Sequence, residues 1–210
     1  MSVDCEPPMK KKKILSARIV GVTGVFGSGK TSVAKIFSKF GACVLDADRV
    51  AHEALEKTSP VYKKITALFK EVELSKSGRL DRKKIAQIIF RDSAKRKKLE
   101  SIVHPYVLKR LLGNAKASRK NIVILEVPLL FEASFDRYCD KVVTVGASKE
   151  AIYKRLQEKG YSRVEVEARN KVQWPLKEKK KKSDFVVDNS GTFENTRRQA
   201  ETIWKNLLRA

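Results

Sequence analysis

Eight residues, Gly24-Val25-Phe26-Gly27-Ser28-Gly29-Lys30-Thr31, constrain this chain more than any other stretch. Their spacing is G-x-x-x-x-G-K-T, the pattern of a phosphate-binding loop, or P-loop. Ahead of it lies Arg18-Ile19-Val20-Gly21-Val22, an apolar run that reads as a strand. Behind it, Val33, Ile36, Phe37 and Phe40 fall at helical spacing. Strand, glycine loop and helix in that order form the setting in which the pattern has physical meaning.

Glycines let the backbone curl so that successive N–H groups point inward at an anion. The helix that follows turns its positive end toward the same place. Lys30 then reaches β- and γ-phosphates, and the Thr31 hydroxyl, with Ser32 next to it, is suited to Mg²⁺. The stretch from Gly24 through Phe26, Gly27, Ser28, Gly29, Lys30 and Thr31 to Ser32 is therefore expected to bind a nucleoside triphosphate.

With 42% hydrophobic and 33% charged residues over 210 positions, the chain fits one folded domain with room for an inserted subdomain. No apolar run approaches the ~20 residues of a membrane-spanning helix. Lysines at 10–13 are followed by no apolar segment of the secretory kind, so residues 1–17 read as an extension before the first strand. Cys5, Cys43 and Cys139 are odd in number and lack zinc-ligand spacing; free thiols in a reducing cytoplasm are the expectation. The net charge of +22 raises nucleic-acid binding as one reading. Its lysines, however, are spread along the chain with few aromatics between them, which favours a solvated basic surface.

Along the chain, Ala42-Cys43-Val44-Leu45 reads as a second strand running into Asp46-Ala47-Asp48 and a polar helix over about 49–57. From 60 to 115 the periodicity is helical throughout. Val61, Ile65, Leu68 and Val72 share a face, a 75–78 loop follows, and Asp81 caps a helix with Ile85, Ile88 and Ile89 inward. The His104-Pro105 step is expected to end one helix and start another. Asn121–Leu125, Lys141–Val145 and Asp184–Val187 supply three more strands, the first nearly all apolar. Alternating strands and helices predict an α/β fold with a doubly wound, five-stranded parallel sheet and a helical insertion over 60–115.

In such sheets ligands sit at the carboxyl ends of the strands. Asp46 and Asp48 end strand two, and either can serve as a proton acceptor or a metal-water partner while the other caps the next helix. Glu126 and Glu132 bracket Val127–Phe131 after strand three, each as able to be an ordinary loop carboxylate as a ligand. Arg155, Arg163 and Arg169 lie between strands four and five, where helices can close over a triphosphate.

Taken together, Thr23 through Ser32, Leu45-Asp46-Ala47-Asp48, Leu80-Asp81-Arg82, Ile89-Phe90, Leu99-Glu100, His104-Pro105, Val127-Pro128-Leu129-Leu130-Phe131-Glu132 and Asp188-Asn189-Ser190-Gly191 stand in the order of the dephospho-CoA kinases. The chain resembles that family from Arg18 onward. The resemblance implies a P-loop kinase of the nucleoside monophosphate kinase-like fold that phosphorylates the ribose 3′-hydroxyl of dephospho-CoA with ATP and Mg²⁺, the final step of coenzyme A biosynthesis. It implies Asp48 as general base with Asp46 supporting it, Lys30 and Arg155 at the transferring phosphoryl, Asn189 near the ATP, and Arg82 and His104 as acceptor contacts on the insertion. It also implies a lid over 150–182, with Arg155 and Arg169 at family arginine positions.

Three positions depart from the family pattern. Val25 replaces a glycine, Thr31-Ser32 inverts Ser-Thr, and Lys159 stands where a lid arginine is common. The competing readings are another small-molecule kinase of the same fold and a nucleic-acid-directed P-loop ATPase.

Overall fold

The computed structural model describes residues 17–72 and 80–209. The expected N-terminal extension, apart from Ala17, and the expected 75–78 loop lie outside the described residues.

Five strands form one sheet: β1 (Arg18–Thr23), β2 (Cys43–Asp46), β3 (Ile122–Glu126), β4 (Lys141–Gly146) and β5 (Phe185–Asp188). Their order is β2-β3-β1-β4-β5, with every neighbouring pair parallel. The first strand is thus central, and its carboxyl end feeds the glycine loop into α1 (Lys30–Lys39). Register places Val22 beside Glu126 and Asp46 beside Glu126, so the acidic ends of β2 and β3 lie abreast of the loop.

Alternation of side chains along the strands divides the core between the two faces. Ile19, Val123 and Leu125 pack on one side with Val107, Leu111 and Ala115 of α5 (Ser93–Ala117) and Val50 of α2 (Ala47–Glu53). On the other, Val20, Val22, Ile124, Val143 and Val145 meet Val33 and Phe37 of α1 and Ile203 and Leu207 of α9 (Phe193–Arg209). Burying both faces explains why β3 is apolar almost throughout.

The insertion has its own small core. Ile65 of α3 (Tyr62–Leu68), Phe69, Leu80 and Ile85 of α4 (Arg82–Arg91) pack together against Leu99 and Ile102 of α5. A fourth cluster joins α6 (Lys149–Gln157) and α7 (Arg163–Lys171) to the loop itself, through Ile152, Leu156, Val166 and Val25. A short helix α8 (Leu176–Lys182) leads back to β5.

Two local expectations change. The helix after β2 begins at Ala47, not 49, because the Asp46 side chain accepts hydrogen bonds from the N–H groups of Asp48 and Arg49 and so caps it. And His104-Pro105 does not divide two helices: α5 runs unbroken for 25 residues with Pro105 inside it. A proline there costs about 3 kcal/mol through a lost hydrogen bond and a clash. Its two halves are held by different cores, Leu99 and Ile102 in the insertion and Val107, Leu111 and Ala115 on the sheet. Pro105 itself is exposed. Packing at both ends outweighs the local penalty.

Candidate active site

The loop closes around three left-handed or strongly positive backbone positions, of which Gly29 is the tightest. Its φ is +91°, and a Cβ there would stand 2.0 Å from Asn189 Nδ2. That amide donates to Ser28 O at 2.8 Å, while Asn189 Oδ1 accepts from Thr196 Oγ1 at 2.9 Å. Asn189, at the end of β5, therefore pins the loop against α9. No side chain caps α1, whose first turn starts at Gly29 and Lys30, so its leading N–H groups remain available to an anion.

Val25 has a physical explanation that its sequence context withheld. Among the described non-glycine residues only Ser134 has positive φ, so position 25 does not require a glycine. Its side chain is buried against Ile152, Leu156 and Val166. An apolar contact thus joins the loop to α6 and α7.

Lys30 is buried and donates to the carbonyls of Gly24 and Val25 at 3.2 and 3.1 Å. Burial lowers its pKa to about 8, opposed by the carboxylates of Asp48 and Glu126. The next residue, Thr31, donates its hydroxyl hydrogen to Glu126 Oε1 at 2.6 Å. Burial raises the Glu126 pKa, an effect that this hydrogen bond opposes. Asp48 lies in the first turn of α2, open to solvent within the cleft, and its pKa is raised, first by desolvation from the cleft walls and then by the charge of Asp46; Lys30 works against both.

These groups share one cavity of about 730 Å³. Asp48, Glu126, Pro128, Leu129 and Phe90 wall one half. Arg155, Asn189, Gly191 and Phe193 wall the other. Phe26, Gly27, Gly29, Lys30, Thr31 and Ser32 run between them. Arg155 Nη2 donates to Asn189 O at 2.6 Å, which leaves its buried Nη1 without a hydrogen-bond partner, 3.9 Å from the point where a Gly29 Cβ would stand. From α7, Arg169 lies over the rings of Phe26 and Tyr161 at 4.8 and 5.2 Å, and Asn170 Oδ1 accepts the Phe26 N–H at 2.9 Å. Lys159 lines the cavity too.

The remaining expected residues lie elsewhere. Asp46 commits Oδ1 to its cap and does not line the cavity. Gly24 and Ser28 form the loop's underside, Ser28 fully buried. Arg82 pairs with Glu56 at 2.6 Å, and half-buried His104 sets its ring edge against Phe135 at 6.0 Å; neither lines the cavity. Burial also lowers the His104 pKa.

Sequence reasoning missed Lys179. It sits in the lysine run at 179–182 yet is wholly buried, 3.0 Å from Glu132 Oε1. Its only signal is that Leu176 and Lys179 share a helix face, which the three lysines after it conceal.

A phosphate-binding loop, a carboxylate at the adjoining strand end and an arginine over the loop narrow the field to phosphoryl-transfer enzymes, and comparison narrows it further. The sequence profile of the dephospho-CoA kinase family matches residues 18–195. The chain belongs to the dephospho-CoA kinase family. A dephospho-CoA kinase of Aquifex aeolicus is 39% identical over 191 residues, which span 90% of this chain and 97% of that one. Among solved structures, TT1252 from Thermus thermophilus superposes with a TM-score of 0.80 at 35% identity, covering 91% of this chain and 98% of that one. A dephospho-CoA kinase from Campylobacter jejuni gives 0.66 at 27% identity, covering 90% and 96%. The family match runs from β1 through the P-loop and the helices between the strands into α9.

Proposed function

We propose that this protein transfers the γ-phosphoryl group of ATP to the ribose 3′-hydroxyl of dephospho-CoA, the closing step of coenzyme A biosynthesis, in the cytoplasm. The observation that carries the reading is the placement of Asp48 in the same cavity as Lys30, Thr31 and Arg155, in a chain of this family. A carboxylate beside a phosphate cradle is what a hydroxyl acceptor needs and what simple nucleotide binding does not.

In this mechanism the P-loop N–H groups and the Lys30 ammonium hold the β- and γ-phosphates. Asp48 accepts the proton of the acceptor hydroxyl as the oxygen attacks the γ-phosphorus in line. Its raised pKa, set by desolvation and the charge of Asp46, makes it a better base than a free aspartate. The unpartnered Nη1 of Arg155 meets charge that develops on the transferring group. Asn189 keeps Gly29 and Ser28 in place beside the ATP. Thr31 and Glu126, hard oxygen donors in contact, suit Mg²⁺ and would hold it at the mouth of the loop. When bound, that ion neutralises charge on the phosphates. The insertion takes the acceptor: α4, which carries Arg82, also brings Phe90 into the cavity wall, and α5 carries His104.

The deciding experiment follows ADP release on adding dephospho-CoA, AMP or RNA in turn. Release with dephospho-CoA alone is expected. Release with AMP assigns the chain to a nucleoside monophosphate acceptor, and release with RNA to a nucleic-acid-directed ATPase; either result overturns the proposal.

A further inference from the structure

Helix α8 carries one side chain that its neighbours disguise. Lys177, Lys180, Lys181 and Lys182 are exposed, but Lys179 has no exposure at all. Its Nζ donates to Pro128 O at 2.7 Å and pairs with Glu132 Oε1 at 3.0 Å. That same carboxylate oxygen accepts the backbone N–H of Trp174 at 2.6 Å. Pro128 O takes a second hydrogen bond, from Thr23 Oγ1 at 3.1 Å, and the carbonyl of Lys179 itself accepts from Thr144 Oγ1 at 3.3 Å. One ammonium therefore joins the end of β1, the segment after β3 and the connection between α7 and α8, while its own backbone is tied to β4.

Burying a lysine costs several kcal/mol before pairing restores it. Such a group survives where something must be held. What Lys179 holds is the cavity wall: Pro128 and Leu129 line it directly, and Gln173, next to Trp174, lines it from the other segment. The side chain of Gln173 has a buried Oε1 with no hydrogen-bond partner. Asp48 stands on the β2 side of Lys30 and Arg155 on the β5 side, so a proton acceptor on the β2 side places the attacking hydroxyl there. Pro128 and Leu129 belong to that same half.

We infer that Lys179 is a positioning residue for the acceptor half of the site, acting through Pro128 and through the Glu132–Trp174 link to set the wall against which the acceptor nucleotide lies. It does not itself line the cavity. The nucleotide half, built on Asn189, Arg155 and Gly29, has no bond to it. The inference rests on the phosphoryl-transfer reading above.

The test separates the two substrates. In Lys179→Met/Glu132→Gln, which removes both charges together, KM for dephospho-CoA is expected to rise at least tenfold while KM for ATP stays within twofold, at a temperature where circular dichroism finds wild type and variant equally folded. A purely structural role would move neither constant or both alike, and either pattern overturns the inference. If the double variant does not fold, Lys179→Arg keeps the charge but forces a longer, forked group against Pro128. It is expected to produce the same selective rise, and unaltered constants overturn the inference. If wild type does not act on dephospho-CoA, the functional reading fails by itself. The Lys179–Glu132–Trp174 link is then judged by Trp174 emission in a Trp204→Phe background: a red shift in Lys179→Arg supports it, and an unchanged spectrum overturns it.

Discussion

Thr31 Oγ1 and Glu126 Oε1 lie 2.6 Å apart, joining the first turn of α1 to the end of β3. Parallel register sets Glu126 beside both Val22 and Asp46, and its carboxylate lines the cavity at the mouth of the loop. Glu126→Gln keeps the shape and removes the charge. The expected outcome is an increase of roughly tenfold in the Mg²⁺ concentration that gives half the maximal rate. Titration of activity with Mg²⁺ at saturating ATP checks it, and an unshifted curve removes Glu126 from the metal's surroundings.

Asp48→Asn is expected to lower turnover by a factor of about 10² to 10⁴, the usual contribution of a positioned general base, with ATP affinity nearly unchanged. Because desolvation and Asp46 raise its pKa, wild-type kcat falls as pH drops through a value above that of a free aspartate. Removing the Asp46 charge with Asp46→Asn moves that acid limb to lower pH, an effect visible in a pH–rate profile. A limb that stays in place would falsify the assignment of Asp48 as the titrating base.

Lys30 predicts the alkaline side. With a pKa of about 8 in the free protein, it is charged below that value and neutral above it. ATP affinity is therefore expected to weaken as pH rises above about 8, approaching tenfold per pH unit well beyond it. Phosphate binding favours the ammonium, so the corresponding limb in the ATP complex lies at higher pH. Calorimetric titration with ATP between about pH 7 and about pH 10 measures both.

Val25→Ala trims a side chain buried between the P-loop and the α6–α7 pair. Loss of two methyl groups costs about 1–2 kcal/mol of local packing. Because that packing links the loop to α6 and α7, the expected signs are faster proteolysis within 150–172 and a raised KM for ATP. Val25→Gly adds backbone freedom that the loop does not require at this position, and is expected to be worse than alanine. Equal KM values in all three proteins would mean that the contact is decorative.

Much of the fold was legible because it rests on local periodicity. The strand–loop–helix around Gly24–Thr31 and the five strands follow from neighbours along the chain. Pro105 misled for the same reason: its local preference is real, but two separate cores on either side of it hold α5 continuous. The Asp46–Asp48 pair was tied in the sequence because both are carboxylates two residues apart. Folding separates them, since the N-cap takes Asp46 Oδ1 and the first helical turn carries Asp48 into the cavity.

From residue order alone came the phosphate-binding loop, the parallel α/β sheet and the family resemblance, because each is written in spacings of a few residues. Only the tertiary structure could reveal that Val25 packs against α6 and α7, that Asn189 is a brace for Gly29 and that Lys179 lies buried 3.0 Å from Glu132. These depend on which distant segments meet, and Lys179 shows why. Its sequence neighbours are three more lysines, identical in every local property, and only packing against Pro128 and Glu132 makes one of the four different.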